Sequence, residues 1–425
     1  MPPTALSSTL EDGFAAACDR GLDFDLTRGK PSAEQLDLSS PLLEAVGPDD
    51  YRSADGIDCR NYGGLEGLPE VRALYAQYLG VQADEILIGD NASLSLMHDV
   101  ISQALLRGVP GGAGPWSGQS VRFLCPTPGY DRHFSICEYL GIEMIAIDMR
   151  DDGPDLDAIE YMVEDDTVKG LFCVPRYSNP TGITYSAEVV RRLAAMNTAA
   201  PDFRIIWDNA YAVHHLYPEP EPLADILEEC KRSGHPNRPL LIGSTSKITL
   251  AGSGLSMIAA SAENLADLKL FRSRQTIGPD KINQLRHIRF LPDLAAIEAH
   301  MRRHAEILRP KFELVESILA EELSAWDVVT WTRPRGGYFI SLDSPPGCAR
   351  EIIGLAAEAG VRLTPAGATF PHGHDPQDRN IRLAPSFPPL DELREATRVL
   401  TLAILLVCER KGLLQNVGRN GGSEN

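Results

Sequence analysis

From residue 69 to about 290 the chain alternates short apolar runs with longer amphipathic ones, and this alternation limits the folds open to it. "PEVRALYAQYLG" is a helix with Pro69 in its first turn, where a missing N–H costs nothing, and Gly80 as its stop. "DEILIG" follows as a buried strand, and "ASLSLMHDVISQALL" puts Leu94, Met97, Ile101 and Leu105 at helical spacing. "VRFLCP", "EMIAID", "VKGLFCVP", "FRIIWD" and "PLLIGS" read as further strands, separated mostly by helical patterns or loops. Strands alternating with helices predict an α/β fold, a mainly parallel sheet covered on both faces.

Beyond about residue 295 long helical patterns take over, with the short strands "GGYFISL" and "RNIRLAP" among them, which predicts a second, smaller α+β domain. The expected division is residues 1–45 joining the small domain, 46–295 as the large domain, 296–412 as the small one, and 413–425 as a mobile polar tail. "GVPGGAGPWSGQS" matches no P-loop spacing and reads as a Gly-rich connection. No internal repeat is visible.

The formal net charge of −19 argues against a nucleic-acid binder, which needs a basic patch for phosphates. It also means that a small anionic ligand must be met by local Arg or Lys. The eight cysteines (Cys18, Cys59, Cys125, Cys137, Cys173, Cys230, Cys348, Cys408) form no CxxC pair. Neither a zinc knuckle nor a disulfide framework follows, no metal is expected, and a reducing cytoplasm is the default. "MPPTALSSTLEDG" lacks a basic start followed by an apolar stretch, so no signal peptide is read. "VLTLAILLVC" is about half of what a membrane span needs and reads as the buried face of a C-terminal helix.

Ligands of open α/β sheets bind beyond the carboxyl ends of the strands. Just past the apolar runs stand Asp90, Asn91, Ala92 and Ser93, then Tyr130 in "PTPGY" and Asn179 in "RYSNPTG". Asp208 and Tyr211 follow "RIIW", and Ser244, Ser246 and Lys247 follow "LLIG". Each has a plain reading: Asn91 and Ser93 as helix caps, "SNPTG" as a turn, the tyrosines as packed aromatics, Lys247 as a solvated charge. Together at one sheet edge they match a single chemistry.

That ordered set resembles the fold-type I aminotransferases that use pyridoxal 5′-phosphate. The resemblance runs from "LTRGKPS" to "IRLAPSF" through "YGGLEGLPEVR", "GDNASLSLM", "PTPGY", "YSNPTG", "DNAY", "STSK", "RGGYF" and "IRL". The wording "STSKITLAGSG" is most similar to a bacterial aspartate aminotransferase subgroup. It implies a mainly parallel seven-stranded sheet between helices, plus a smaller α+β domain.

Carried over to this sequence, the resemblance makes Lys247 the Schiff-base lysine and proton shuttle, and Asp208 the partner of the pyridine nitrogen. Tyr211 and Asn179 would bond the ring's phenolate oxygen, and Tyr130 would stack on the ring. Asn91, Ala92, Ser93, Ser244 and Ser246 would hold the phosphate where a helix begins, with Tyr62 reaching it from the neighbouring subunit of a homodimer with shared sites. Tyr62 packed within its own loop is the equal alternative. Arg382 would grip the substrate's α-carboxylate with two parallel donors, and Gly29 would bring a backbone N–H to it.

Two departures stand out. Many relatives carry an arginine eight residues after the Schiff-base lysine as a phosphate partner, and here that offset holds Leu255, in "AGSGL". Either another Arg or Lys folds in from elsewhere, or backbone amides and hydroxyls suffice, and a glycine-directed loop path that frees amides for the phosphate is the expected substitute. The distal carboxylate of an acidic substrate needs a second cation, for which Lys281 ranks first among Arg28, Lys30, Arg272, Arg274, Lys281 and Arg286.

The expected activity is reversible ping-pong exchange between L-aspartate and 2-oxoglutarate, giving oxaloacetate and L-glutamate. The alternatives are an aminotransferase for another amino acid, or a lyase using the same cofactor on the same fold. A sensing domain of a transcription regulator would bring a basic winged helix–turn–helix, for which no length is left over. A nicotinamide enzyme is disfavoured because no GxGxxG follows a strand.

Overall fold

The computed structural model describes residues 3–27 and 29–414; Arg28 and the expected tail beyond Leu414 lie outside the described residues. In chain order the strands are β1 (Phe24–Asp25), β2 (Ile86–Ile88), β3 (Arg122–Thr127), β4 (Glu143–Arg150), β5 (Gly153–Pro154), β6 (Val168–Cys173) and β7 (Arg204–Asp208). They continue with β8 (Pro239–Ser244), β9 (Ser256–Ala259), β10 (Thr330–Trp331), β11 (Ile340–Asp343), β12 (Val361–Arg362) and β13 (Asn380–Leu383).

The main sheet runs β2-β9-β8-β7-β6-β3-β4-β5. Neighbours from β8 through β4 are parallel, while β9 runs against both β8 and β2, and the two-residue β5 hangs antiparallel on β4. Without β5 this is the mainly parallel seven-stranded sheet expected. Sequence alone misses β9: "SMIA" is only four residues long and runs straight into the helix capped by Ser261.

Alternate residues of these strands enter different cores, as period-2 strands buried on both faces must. Leu124, Leu171, Ile205, Leu241 and Met257 pack on one face. Phe123, Phe172, Ile206, Ile242 and Ile258 pack on the other. Helix ends carry the anticipated stops: Gly80 closes Pro69–Leu79 with φ 77°, a left-handed conformation that costs glycine least.

A third core holds the antiparallel sheet β10-β11-β13. Leu10 and Phe14 of the helix Pro3–Asp19 pack into it, and β1 pairs in parallel with β12. The apolar run near the C-terminus lies in the helix Leu390–Arg410, where Val399, Leu400, Ala403, Ile404, Leu406 and Val407 are buried. Among the described residues no helix is long and apolar enough to cross a membrane. The long helix Leu294–Leu323 links the cores: Ile297 and Met301 belong to the large one, Leu308, Phe312, Val315 and Leu319 to the small one.

Candidate active site

The parallel strands deliver their carboxyl ends to one edge, because register places Cys173 beside Trp207 and Asp208 beside Ile242. Lys247 sits in the turn directly after β8, where the N–H groups of Ile248 and Thr249 both donate to Thr245 O at 2.8 Å. Its Nζ lies 4.8 Å from the centre of the Tyr211 ring. Burial lowers the Lys247 ammonium below its ordinary 10.5, opposed in part by the Asp208 carboxylate. Desolvation of this kind raises the share of neutral, nucleophilic amine.

The backbone of that turn rests on histidines. His214 Nε2 donates to Lys247 O at 3.2 Å, and the Tyr338 hydroxyl donates to the same oxygen at 3.4 Å. His300 Nε2 lies 2.8 Å from Ile248 O, and His287 Nε2 lies 3.1 and 2.9 Å from the hydroxyls of Thr245 and Thr249. Gln35 Nε2 reaches both Tyr338 Oη at 2.9 Å and His304 Nδ1 at 3.0 Å, so the N-terminal segment joins the same network. Burial holds these imidazoles down: His214 well below 6.5, His287 to about 4 and His304 to about 3. The network is therefore neutral and made of hydrogen bonds.

Asp208 closes β7 and is 2% exposed. Its Oδ2 accepts from His133 Nε2 at 3.1 Å, while Oδ1 is buried with no partner among the described residues. A buried carboxylate oxygen without a donor is costly, and its geometry asks for an N–H from a bound group. His133 stacks on Phe172 at 4.3 Å and meets Tyr130 edge-on at 5.0 Å. Sequence reasoning missed His133; its signal is the spacing in "GYDRHF", three residues past Tyr130 on a helix that starts at Asp131. Tyr211 is 3% exposed, and burial, then the nearby Tyr130, raises its hydroxyl well above 10.

At the neighbouring corner the helix Ser93–Arg107 begins after Ala92 with no side-chain cap, leaving first-turn N–H groups for an anion. Ser246 Oγ donates to Asn91 O at 3.2 Å, and the Ser246 N–H donates to Ser244 Oγ at 3.4 Å, which joins the two predicted phosphate segments. The "AGSGL" loop packs against them. A Cβ on Gly254 would stand 3.0 Å from Ser246 N, Cα and Oγ, so only glycine lets the loop come this close. Leu255 points into the core at 1% exposure, and Thr245 N–H donates to its carbonyl at 2.7 Å. Arg272, behind this corner, is already engaged with Ile88 O at 3.3 Å, Asp90 at 3.6 Å and Asp99 at 3.7 Å.

Arg382, on β13, is 6% exposed. Its Nε donates to Thr364 Oγ1 at 3.3 Å, and its Nη1 to Asn179 Oδ1 at 3.3 Å and Asp131 Oδ1 at 2.9 Å. The guanidinium lies 5.0 Å from the centre of the Phe339 ring. That ring also abuts Gly29, where a Cβ would come within 2.4 Å of Phe339 Cζ. Gly29, Asn179 and Arg382 thus converge as expected, and Asp131 joins them unanticipated.

Two residues lie apart. Lys281 is buried, and its Nζ donates to Gly63 O at 2.7 Å, which ties it to the Tyr62 loop instead of to Arg382. Tyr62 itself stands 80% exposed, turned to solvent and away from the cluster of its own chain.

Comparison with known proteins identifies the family. The profile of the family described as "Aspartate amino-transferase" matches residues 3–416. A Mycolicibacterium smegmatis protein bearing an aminotransferase name is 51% identical over 397 residues, 92% of this chain and 93% of its own. An aspartate aminotransferase of Corynebacterium glutamicum is 49% identical over 388 residues, 91% of this chain and 90% of its own. The crystal structure of an aspartate transaminase from Corynebacterium glutamicum superposes with a TM-score of 0.94 at 46% identity, covering 96% of this chain and 97% of that one. The chain belongs to the aspartate amino-transferase family and is an aminotransferase.

Proposed function

We propose that the protein is a pyridoxal 5′-phosphate-dependent aspartate aminotransferase that moves an amino group reversibly between L-aspartate and 2-oxoglutarate. Oxaloacetate and L-glutamate are the products of its two half-reactions. The observation that carries the reading is the pair at the sheet edge: the desolvated Lys247 amine, and the Asp208 carboxylate with one buried oxygen lacking a donor among the described residues. When bound, the cofactor supplies an aldehyde and an electron-withdrawing ring.

Each residue then has a task. Lys247 would hold the cofactor's aldehyde carbon through its amine and, when free of it, would move the substrate's Cα proton, work typically worth about 10²- to 10⁴-fold in rate. The free oxygen of Asp208 would accept a hydrogen bond from the protonated ring nitrogen and so keep that nitrogen charged, with His133 fixing the carboxylate from behind. The Asn179 carbonyl oxygen is occupied by Arg382, so its amide nitrogen is the end left for the phenolate oxygen, beside the Tyr211 hydroxyl. Tyr130 would pack on the ring face. The amides from Asn91 to Ser93, the hydroxyls of Ser244 and Ser246 and the adjoining "AGSGL" loop would hold the phosphate in place of the arginine absent at Leu255.

Arg382 and the Gly29 N–H would take the α-carboxylate. Lys281 holds the Tyr62 loop and would reach a distal carboxylate only by exchanging its bond to Gly63. Tyr62 serves the site of a second copy. The exposure of Tyr62 with Leu43, Leu270 and Ile277 supports a homodimer. Eight unpaired cysteines support a reducing, cytoplasmic setting. We place the large domain at 46–295 and the small one at 296–412 joined by residues 1–45, a division supported by the pairing of β1 with β12.

The test is a visible spectrum of the holoprotein with L-aspartate. The lysine-bound cofactor band is expected to give way to that of the amine form, with one oxaloacetate released per site. A spectrum unmoved by aspartate but moved by another amino acid would reassign the donor.

A further inference from the structure

The carboxylate-binding arginine carries a carboxylate of its own chain. The surroundings of Arg382 are otherwise neutral: Thr364 at Nε, Asn179 at Nη1 and the Phe339 ring near the guanidinium. Asp131 is the one acid paired with it among the described residues, and the pair is lopsided, with side-chain exposures of 5% for Arg382 and 37% for Asp131. The contact is single, from Nη1 to Oδ1 at 2.9 Å, and Nη2 makes no hydrogen bond among the described residues.

A guanidinium this buried is costly to leave unpaired. A single-point, part-exposed ion pair is weak, however, next to the two-point grip that a free carboxylate can make. Asp131 also has somewhere else to go. It is the first residue of the helix Asp131–Leu140, whose N-terminus has no side-chain cap, and an acid there is favoured by the first-turn N–H groups.

We propose that Asp131 is an exchangeable counter-ion for Arg382, neutralising it while the site is free and yielding Nη1 to the incoming carboxylate. This rests on the reading of Arg382 as the α-carboxylate site. The device is a positioning one, acting through Arg382. It keeps the arginine oriented between turnovers and weakens carboxylate binding by the strength of the pair that must be broken, which serves an enzyme whose products are carboxylates too.

Succinate, a dicarboxylate with no amine to react, is titrated calorimetrically into holoprotein carrying Asp131→Asn, Asp131→Glu or Arg382→Leu, beside the unaltered chain. Asp131→Asn is expected to bind succinate roughly five-fold tighter, the gain from removing a part-exposed pair. KM for aspartate and 2-oxoglutarate should fall in the same proportion. Asp131→Glu, which keeps the charge, should stay close to the unaltered protein. Unchanged or weaker binding by Asp131→Asn would overturn the proposal, as would equal tightening by Asp131→Glu. If Asp131→Asn does not fold, Asp131→Ser removes the same charge and is judged by the same outcomes. Arg382→Leu separates the two claims: if it still binds succinate normally, the reading of Arg382 fails; if it loses binding while Asp131→Asn gains none, only the exchange fails.

Discussion

Asp208 Oδ2 receives a hydrogen bond from His133 Nε2 at 3.1 Å, and the other carboxylate oxygen, buried, receives none among the described residues. The carboxylate is fixed on one side and open on the other, the condition for orienting it toward a group not part of the chain. Removing an orienting partner costs about 10- to 100-fold at metal sites, and a loss of that size is expected in kcat/KM for His133→Phe. Asp208→Ala should lose more, because the ring nitrogen then has no anion at all. Steady-state kinetics on both variants check the order; a His133→Phe loss larger than that of Asp208→Ala would contradict it.

Lys247 is part-buried and desolvation lowers its pKa, so in the cofactor-free protein it opposes folding. Below the depressed folded value both states are protonated and the full cost is carried. Between that value and the ordinary 10.5 the unfolded chain binds more protons, so stability rises with pH. Replacing Lys247 with Met should raise the Tm of cofactor-free protein at neutral pH by a few degrees and flatten its rise at alkaline pH. Differential scanning calorimetry at pH 7 and 9 measures both.

The neutral histidines under the lysine turn set the opposite edge. His287 and His304 titrate at about 4 and about 3 in the folded chain, against 6.5 unfolded. The unfolded state therefore takes up protons first as pH falls, and stability drops from about pH 6.5 downward. Urea midpoints at pH 7 and 5 should differ clearly for the native chain, and by less for His287→Gln, which keeps hydrogen-bonding capacity without the proton uptake.

Two glycines in "AGSGL" make a matched pair. A Cβ at Gly254 meets the backbone of Ser246 at 3.0 Å, whereas one at Gly252 meets nothing within 4 Å. Gly254→Ala should push Ser246 off its place beside Asn91 and weaken cofactor binding, at a stability cost of about 1–3 kcal/mol. Gly252→Ala should bind as the native protein does. Dissociation constants for the cofactor measured by fluorescence would distinguish them.

What could be read from the sequence follows from where chemistry sits in this fold. Asp208, Tyr211, Ser244 and Lys247 stand in or just past strands whose apolar runs are unmistakable, so the topology brings them together by itself. The residues that sequence missed act across tertiary contacts. His133 reaches Asp208 from a helix 75 positions away, and Asp131 meets Arg382 across 251 positions. No local pattern announces such pairs. Lys281 reads from sequence as a free cation, but a carbonyl contact with Gly63 at 2.7 Å depends on the fold of a distant loop and leaves no mark in the residue string. The strand β9 was too short to declare itself by periodicity.

The central claim is that Lys247 is the residue joined to the cofactor. Holoprotein reduced with borohydride and digested should yield one peptide carrying the pyridoxyl phosphate mass, on Lys247, and Lys247→Ala should yield none. The same mass on a different lysine, or a labelled Lys247→Ala protein, would contradict the account.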